Sequence, residues 1–507
     1  MATMIGMATD PATPVTPVTT PMTRDRRVDA LGLADPGSFQ RLVAELADRS
    51  RDPLSFAGYA DRLADLARRG PEESMVAGTA RIDGHDVVLL LSQFAALGGS
   101  MGEVHGLRVA RAMATAIERR VPLVSALASG GARMQEGVIS LLQMTRTALA
   151  SVDLREAGIP HIALLRTPTT GGVFASYASL ADVILAERGA TIGFAGPRVV
   201  EALTGEPVNG RSHTAESALR SGLVDAVVDP GEARPTVGRW VSLLAPANRS
   251  GPLPDRATPP EPDRTAGQPW DLVRRARRAD RPRARAYAEA LVDDLAELHG
   301  DRAGSSDPSV LAGVGRIGGR TVAVLGLTGV APTPGGFRLA TRTATLAARM
   351  GLPLVTFIDT PGADASPPSE NSGVAAAIAE TMASIVSAPG PTVAVIIGEG
   401  GSGGAFAFAG CDRVLMQEDA IMAVIAPEGA AAILHRDASR AQQVAGQLGL
   451  AAGPLSELGV VDRILPGPTV VSADAAIAAT CDAIVSALHE LDADPDRLPA
   501  RRHRYAG

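Results

Sequence analysis

The chain has 507 residues and a net charge of −7, and 46% of its residues are hydrophobic while 20% are charged. This length predicts two or more domains with cores of their own, and the acidic balance argues against nucleic acid or an anionic membrane as the main partner. Two cysteines, Cys411 and Cys481, are too few for a disulfide framework or a four-cysteine zinc site, so we predict no metal and a reducing, cytoplasmic location.

All 48 basic residues are arginine. The absence of lysine excludes a P-loop lysine and a Schiff-base nucleophile, and any cofactor held in amide linkage on a lysine must be carried by another chain. No apolar run approaches the roughly 18 to 20 residues that a transmembrane helix needs, so no membrane association is expected.

The first half alternates predicted strands and helices. Residues 1–27 are rich in Thr and Pro, which predicts a disordered tail. A first domain, 28–245, begins with an amphipathic helical pattern over 28–68. Strands are predicted at 76–82, 86–94, 122–128, 158–166, 181–187, 190–196 and 224–229, and helices at 104–120, from the turn at 129–137 to 156, and at 217–225.

The segment Thr167–Ser176, TPTTGGVFAS, predicts a strand that ends in a tight turn at the start of a helix. The first backbone N–H groups of a helix have no partner within it, and the helix dipole makes that end positive. Without side chains at Gly171 and Gly172, an electron-rich oxygen can approach these N–H groups. A single turn of this kind also fits a purely structural role.

The second half repeats the first. Residues 246–269 are rich in Pro and charge and predict a linker, and a second domain, 270–492, restarts with a helical pattern over 271–300 before a C-terminal tail at 493–507. The hairpin at 310–327, the helix at 337–350, the strand at 352–359 and the strand–turn–helix unit at 391–410 follow the earlier order. The corresponding residues are Gly172 with Gly404, Asp182 with Asp412 and Pro197 with Pro427, with two residues deleted from the second half. A tandem pseudo-repeat in the α/β class explains this order.

The repeated turn, GEGGSGGAFA, changes the interpretation of the first one. Two glycine pairs at matching positions, Gly171–Gly172 and Gly403–Gly404, favour two sites that stabilise a developing oxyanion. The turn SGGARMQEG has two interpretations: either Arg133 and Glu136 form a helical ion pair, or Gly130 and Gly131 let a ligand chain pack closely. The loop GGSMG at 98–102 is open to the same two interpretations.

Candidates for acid–base catalysis are few. We find no glycine-flanked serine elbow, HExxH motif or spaced cluster of histidine and carboxylate residues, and Glu399, Glu428 and Asp359 are more typical of caps and turns. Oxyanion sites without a side-chain base suit chemistry on a thioester, in which the co-substrate supplies the proton acceptor.

At these motifs the chain resembles the carboxyltransferase of acetyl-CoA carboxylase, in the crotonase superfamily. Residues 29–229 resemble the bacterial β subunit through GGSMG, SGGARMQEG, PTTGGVFASYA and IGFAGPRV. Residues 291–466 resemble the α subunit through LHGDR, PTPGGFR, TFIDTPGA, GEGGSGGA and APEGAAAIL. The resemblance implies a β–α fusion of two tandem crotonase-like ββα-superhelix domains.

The resemblance also implies the reaction, carboxyl transfer from carboxybiotin to acetyl-CoA to give malonyl-CoA, and the residues involved. Gly171 and Gly172 would hold the thioester oxygen as the enolate forms, and Gly403 and Gly404 the ureido oxygen of biotin. The implied acyl-CoA positions are Gly98, Gly99, Gly130, Gly131, Ala132, Arg133, Ala195, Gly196 and Pro197. The implied biotin-side positions are Gly362, Ala363, Gly401, Ser402, Pro427, Glu428 and Gly429.

With no lysine in the chain, the resemblance implies a separate biotin carboxyl carrier protein and a biotin carboxylase as partners. It further implies a homo-oligomer whose site lies between domains of different protomers. Three features depart from the family: the zinc ribbon of the β subunit is absent, a basic loop before PTPGGFR is missing, and Asp364-Ala365-Ser366 replaces a usual Tyr-Pro-Gly. The alternatives are carboxylation of propionyl-CoA or another short acyl-CoA, a non-catalytic paralogue that binds CoA esters, and a serine hydrolase on a related fold.

Overall fold

The computed structural model describes residues 32–42, 50–69, 73–208, 210–262 and 267–506. In these ranges the strands are β1 Gln40–Arg41, β2 Met75–Ile82, β3 His85–Ser92, β4 Leu123–Ser129, β5 His161–Thr170, β6 Val183–Glu187, β7 Ile192–Gly193, β8 Ala226–Val228, β9 Asp293–Glu297, β10 Val310–Ile317, β11 Arg320–Leu327, β12 Leu354–Thr360, β13 Thr392–Gly401, β14 Arg413–Gln417, β15 Ile421–Ala423 and β16 Arg463–Leu465. The helices of the first half are α1 Tyr59–Arg69, α2 Glu103–Arg119, α3 Val138–Glu156, α4 Gly171–Val173, α5 Pro197–Thr204, α6 Ala215–Arg220 and α7 Ala233–Leu244. The helices of the second half are α8 Pro269–Ala276, α9 Ala284–Leu291, α10 Pro334–Met350, α11 Pro367–Asn371, α12 Val374–Val386, α13 Ser402–Phe406, α14 Pro427–His435, α15 Ala441–Ala445, α16 Ala452–Glu457, α17 Ala473–Ala493 and α18 Arg497–Ala506.

The first half is built on one eight-stranded sheet. Its order is β1-β2-β3-β4-β5-β6-β8, and the short strand β7 pairs with the end of β5. The first three strands are antiparallel, and the pairs from β3 to β8 are parallel. Parallel neighbours need crossover connections, which α2 and α3 provide. The central strands β4 and β5 are therefore covered by helices, and both carry long apolar runs.

The second half repeats this sheet strand for strand. Its order is β9-β10-β11-β12-β13-β14-β16, and β15 pairs with the end of β13 as β7 does with β5. The repeat extends to the hydrogen bonds: the carboxylate of Asp182 accepts from the first N–H of β5 at 2.9 Å, and that of Asp412 accepts from the first N–H of β13 at 2.8 Å. The predicted α/β class and tandem pseudo-repeat are confirmed.

One edge strand of each sheet, β1 and β9, lies in a segment for which a helix was predicted. Gln40 and Arg41 pair with β2, and residues 293–297 pair with β10, so the helical predictions over 28–68 and 271–300 are wrong at these positions. Both segments are polar and partly exposed, and pairing with a long neighbouring strand overrides their local preference. Of the first prediction only 59–69 is helical; residues 32–39 and 50–58 are turns and irregular chain, so the helical prediction is wrong there too, and residues 28–31 and 43–49 lie outside the described residues.

The two halves pack against each other through a shared apolar core. One cluster of buried side chains joins strands of both sheets with α7 and α10, and it includes Trp240, Leu244, Leu339 and Leu346. Polar contacts cross the same boundary, because Arg342 of α10 donates to the carboxylate of Asp225 at 2.8 Å. The halves therefore form one packed unit.

The segment between the halves runs along the second sheet. Among its described residues, 246–248 form one 3₁₀ turn, and the N–H of Gly319 donates to the carbonyl oxygen of Pro252 at 3.2 Å. Residues 497–506, which the sequence assigns to a tail, form α18, and the buried Arg501 pairs there with Asp412 at 2.6 Å. None of the helices in the described ranges has the length and apolar character needed to cross a membrane.

Candidate active site

The first glycine turn lies at the carboxyl end of the central strand β5. Gly171 has a φ of 61°, which favours glycine, and a Cβ there would lie 2.7 Å from the Cα of Gly131. Its N–H donates to the carbonyl oxygen of Phe194 at 2.8 Å and so continues the pairing of β5 with β7. Gly172 follows in the first turn of α4, where a backbone N–H has no partner within the helix. Gly172 is therefore the available donor of the predicted pair.

Two further glycine loops meet this turn. The N–H of Gly130 donates to the oxygen of Gly98 at 2.9 Å, and the N–H of Met101 donates to the oxygen of Gly131 at 2.8 Å. A Cβ on Gly131 would lie 3.5 Å from the nitrogen of Gly172. The structure thus brings together the predicted positions at 98–99, 130–132 and 171–172 through close backbone contacts.

The second turn has the same construction at the carboxyl end of β13. Ser402 begins α13 with a φ of 55°, and Gly403 and Gly404 follow. A Cβ on Gly404 would lie 2.5 Å from the nitrogen of Ala363, and a Cβ on Gly401 would lie 2.1 Å from the oxygen of Pro361. Gly401 and Gly404 are therefore needed for close backbone packing, which places them beside the predicted position Ala363.

Strand register corrects the correspondence between the two turns. Thr169 pairs with Ile192 in the first half, and Gly400 pairs with Met422 in the second. Counting from these pairs, Gly172 corresponds to Gly403, one residue earlier than the predicted Gly404. The deletion before Asp412 is consequently one residue and not two. Residues 174–178 form a π-helical turn, which accommodates the extra residue of the first half.

Gly403 is open where Gly172 is covered. A Cβ on Gly403 would have no atom within 4 Å, whereas a Cβ on Gly172 would lie 3.2 Å from the Sδ of Met144 and 3.4 Å from the Cε of Met101. Gly172 is buried and Gly403 is exposed. The side chains nearest to Gly172 are thus apolar and carry no base.

The prediction that the chain has no glycine-flanked serine elbow is wrong at Ser402. Residues 400–404, GGSGG, match the spacing G-x-S-x-G, and the positive φ of Ser402 at a strand–helix turn is typical of a nucleophile elbow. A serine hydrolase also needs a base in contact with the hydroxyl. Within the described ranges the Ser402 hydroxyl forms no hydrogen bond to a histidine: six histidines bond other groups, and the buried Nε2 of His435 has no partner, so the turn lacks the second member of such a site.

Arg133 lies in a buried charge cluster beside the first turn. Its guanidinium pairs with Glu73 and, at 3.0 Å, with Glu136, and all three side chains are almost fully buried. The ion-pair interpretation of Arg133 and Glu136 therefore holds, and the Arg133 side chain is not exposed to a ligand. Burial by itself would raise the pKa of Glu73, but Arg133 outweighs it and lowers that pKa to about 2.

This charge cluster and the adjacent His105 connect the three segments that meet at the first turn, which are the loops at 98–102 and 130–133 and the turn at 171–178. Glu136 accepts from the N–H of Glu103 at 2.6 Å, and Arg133 donates to the carbonyl oxygen of Ser100 at 2.7 Å. His105 contacts the hydroxyl of Tyr177, in the π-helical turn, at 3.2 Å. Burial lowers the pKa of His105 to about 3, so its ring is neutral. Sequence reasoning missed Glu73 and His105 because neither belongs to a glycine motif, and it missed Tyr177 because only the glycines of PTTGGVFASYA were interpreted.

The remaining biotin-side positions lie at the start of α14, which follows β15. Glu428 pairs with Arg277 at 2.7 Å, and Arg277 also pairs at 2.7 Å with Glu399 of β13. Burial by itself would raise the pKa of Glu428, but the hydrogen bond from Arg277 outweighs burial, and this pKa is lowered. Glu428 is thus a paired carboxylate and a poor general base. Pro427 and Gly429 flank it, as Gly196 and Pro197 begin α5 at the equivalent place in the first half.

The segment Asp364-Ala365-Ser366, which replaces the usual Tyr-Pro-Gly of the family, has a structural role. The carboxylate of Asp364 accepts from the N–H of Ser366 at 3.1 Å and from its hydroxyl at 2.8 Å, and so holds the start of α11. Within the described ranges, no group of three or more His, Cys, Asp or Glu side chains is placed to hold a metal ion.

Comparison with known proteins gives relatives along most of the chain. Residues 265–506 match the family described as acetyl co-enzyme A carboxylase carboxyltransferase-like. The chain is 43% identical to acetyl-coenzyme A carboxylase carboxyl transferase subunits beta/alpha of Salinispora tropica, over 93% of this chain and 88% of that protein. It is 38% identical to a probable biotin-dependent acyl-coenzyme A carboxylase beta3 subunit of Mycobacterium bovis, over 88% of this chain and 92% of that protein.

The fold is shared with a solved carboxyltransferase structure. Transcarboxylase 12S, a hexamer crystallised with methylmalonyl-coenzyme A, superposes with a TM-score of 0.75 at 24% identity, over 92% of this chain and 90% of that one. The superposition spans both sheets, so the tandem crotonase-like arrangement extends along nearly the whole chain.

Proposed function

The chain belongs to the family of acetyl-CoA carboxylase carboxyltransferases, and on that premise we propose that it transfers the carboxyl group of carboxybiotin to acetyl-CoA, forming malonyl-CoA. The observation that carries this proposal is the structural equivalence of Gly172 and Gly403. Each follows a positive-φ residue at the end of a central parallel strand and stands in the first turn of a helix. Two such sites suit a reaction in which two carbonyl oxygens gain negative charge.

The first site is assigned to the thioester. As a proton leaves the carbon beside the thioester carbonyl, charge develops on the carbonyl oxygen, and the N–H of Gly172 at the positive end of α4 stabilises it. The N–H of Gly171 is bonded to the carbonyl oxygen of Phe194 and so does not reach the thioester. Gly171 instead shapes the turn, because its φ is positive and a side chain there would clash with Gly131. The loops at 98–99 and 130–132 and the segment 195–197 are assigned to the acyl-CoA chain.

The second site is assigned to the co-substrate. Gly403 lies open at the start of α13, beside the close-packed backbone of Gly362 and Ala363, so a flat cyclic urea can approach without meeting a side chain. Carboxybiotin supplies both the carboxyl group and a ureido nitrogen as proton acceptor. The chain's own task is to bind and orient, and the apolar surroundings of Gly172 agree with a base that arrives with the co-substrate.

The biotin is proposed to come on a separate carrier protein. All 48 basic residues are arginine, so the chain offers no lysine for an amide linkage. A biotin carboxylase must then recharge the carrier. We place this assembly in the cytoplasm, where the two free cysteines, Cys411 and Cys481, would stay reduced.

The proposed active unit is a homo-oligomer in which the first half of one protomer faces the second half of another. Helix α3, which packs beside the first turn, exposes an apolar stripe formed by Val138, Leu141, Leu142, Leu149 and Val152. Helix α14, beside the second turn, exposes Ile433 and Leu434. Contiguous apolar patches of this kind mark interaction surfaces.

Propionyl-CoA carboxylation is the second candidate. It is supported by the 38% identity to a probable biotin-dependent acyl-coenzyme A carboxylase beta3 subunit, a protein named for acyl-CoA in general and not for acetyl-CoA. Met101 and Met144 line the covered first turn, and methionine side chains adapt to extra methylene groups.

The experiment is carboxylation with purified chain, charged biotin carrier protein and either acetyl-CoA or propionyl-CoA. We expect malonyl-CoA to form with a higher kcat/KM than methylmalonyl-CoA. The opposite ratio would establish the second candidate. Intact binding of both thioesters with no carboxylated product would overturn both candidates and favour a non-catalytic paralogue.

A further inference from the structure

A cleft of about 480 Å³ lies between the two halves, away from both turns. Its lining includes Asp182, which stands directly before β6 and accepts from the N–H of His161 at the start of β5. Gly171 follows the opposite end of β5. None of the positions 98–99, 130–132, 171–172 or 401–404 is among the residues that line the cleft, and Ser179, seven residues after Gly172, is the lining residue nearest to the first turn along the chain. The cleft is therefore distinct from the site proposed for the thioester.

Four arginines line this cleft: Arg155, Arg302, Arg342 and Arg349. Two of them, Arg302 and Arg342, share the single carboxylate of Asp225. Asp301 also lines the cleft, but it is paired with Arg338 and so adds no free negative charge.

The other two arginines bring only one further carboxylate. Arg349 pairs with Asp182, while the bond of Arg155 is to the carbonyl oxygen of Leu180 at 2.6 Å. Four positive charges thus face two negative ones, Asp182 and Asp225. The cleft has a surplus of about two positive charges.

One guanidinium in the cleft is incompletely satisfied. The Nε and Nη1 atoms of Arg302 are buried and have no hydrogen-bond partner within the described ranges. Burial is the main cause that lowers the pKa of Arg302 to about 10; Arg342 acts in the same direction and Asp225 in the opposite one. Burial and neighbouring arginines also lower the pKa of Arg155. Buried cationic groups with too few partners are costly, and an anion would remove that cost.

We propose that this cleft binds a small anion that carries two or more phosphate groups. Guanidinium groups bind phosphate oxygens through paired hydrogen bonds, and a doubly charged anion matches the surplus charge. The volume lies within the range of about 300–1,000 Å³ that is common for small-molecule sites and exceeds the need of a single phosphate. Because Arg155 belongs to the first half and the other three arginines to the second, the bound anion bridges the two halves.

The test is calorimetric titration of the full chain with pyrophosphate, ADP and inorganic phosphate in a low-salt buffer. We expect one site per chain for pyrophosphate, at least about tenfold tighter than for inorganic phosphate. Equal affinities for pyrophosphate and ADP would assign recognition to the phosphates alone, and tighter ADP binding would add a nucleoside contact. The absence of saturable binding by both pyrophosphate and ADP would overturn the proposal.

Variants locate the bound anion, since ADP can also occupy a CoA site. Arg155→Gln removes a guanidinium that makes no ion pair with a carboxylate, so the fold should be retained, and we expect pyrophosphate to bind at least about tenfold more weakly. Arg155→Lys should recover only part of this loss, because an ammonium keeps the charge without the planar fork. The matched control is Arg274→Gln, an exposed arginine of α8 that pairs with Asp271. Pyrophosphate binding by Arg155→Gln as tight as that of the unchanged protein would overturn the assignment.

Discussion

Replacing Gly403 by valine separates the role of the second turn in the reaction from its role in the fold. A Cβ at this position meets no atom within 4 Å, and the φ of Gly403 does not lie in the left-handed region. The substitution should therefore change the free energy of unfolding by no more than about 1 kcal/mol. Its methyl groups would stand over the open first turn of α13, where we place the ureido oxygen of the co-substrate.

The expected loss of activity follows from the role of the N–H donor. Valine keeps the backbone N–H, but its methyl groups should keep the ureido oxygen from reaching it. The expected cost equals that of losing one donor from an oxyanion site, about 10² to 10³-fold in kcat, or about 3–4 kcal/mol in the activation free energy. The assay is malonyl-CoA formation with charged carrier protein, together with urea unfolding of the same preparation. Acetyl-CoA affinity should be unchanged, because the thioester is assigned to the first half.

Two further valine variants make the result interpretable. Gly231→Val is the matched control, since its Cβ also meets no atom within 4 Å and it lies in neither turn. Gly404→Val should lose stability as well as activity, because its Cβ would lie 2.5 Å from the backbone nitrogen of Ala363. Retention by Gly403→Val of transfer activity within about threefold of the unchanged protein would refute the assignment of this turn.

Three further predictions concern the charge cluster, the pH dependence of stability and the oligomer. Replacing Arg133 by methionine leaves two buried carboxylates without their cation and should lower the free energy of unfolding by about 3–5 kcal/mol, measured by urea unfolding at neutral pH; a loss under 1 kcal/mol would contradict the buried pairing. Burial lowers the pKa of His105 to about 3 and that of His161 to about 4, so both are neutral in the fold and bind protons on unfolding below about pH 6.5. The free energy of unfolding should thus decrease as the pH is lowered from about 6.5 to 4.5, by up to about 1.4 kcal/mol per pH unit for each histidine. In urea unfolding at a series of pH values, His105→Gln should halve that slope, and an unchanged slope would show that His105 does not contribute. The double variant Leu141→Asp and Leu149→Asp should yield monomers in sedimentation and lose transfer activity, whereas unchanged oligomers would exclude this stripe from the interface.

The repeated architecture could be predicted from sequence because apolar runs and glycine turns recur in one order. β5 and β13 each carry an apolar run that leads to a glycine turn, and their place beside parallel neighbours follows from the alternation with helices. The edge strands β1 and β9 could not be predicted in this way. Their residues are polar, and only the adjacent strands β2 and β10 determine that they pair.

The register of the two turns could not be read from glycine spacing. Sequence alignment matched Gly172 with Gly404, because both are the second residue of a glycine pair. In the fold the left-handed position of the second turn is taken by Ser402, so Gly403 stands where Gly172 does. The extra residue of the first half is absorbed by the π-helical turn after Val173, a conformation without a sequence signal of its own.

The buried surroundings of Arg133 also could not be predicted from the residues next to it in the sequence. Its pairing with Glu136 follows from their spacing of three residues, whereas Glu73 lies 60 residues away along the chain. The burial of this cluster comes from the packing of α1, α2 and the loop at 98–102 around one guanidinium. A candidate binding residue thus becomes the residue that holds the first site together.

The most direct measurement uses the chain alone, with malonyl-CoA and a soluble biotin derivative such as biocytin. The proposed function predicts that malonyl-CoA is converted to acetyl-CoA only when biocytin is present, and that Gly172→Val and Gly403→Val each lower the rate at least about 100-fold. Conversion that proceeds equally without biocytin, or that survives in both variants, would contradict a carboxyl transfer between two paired backbone sites.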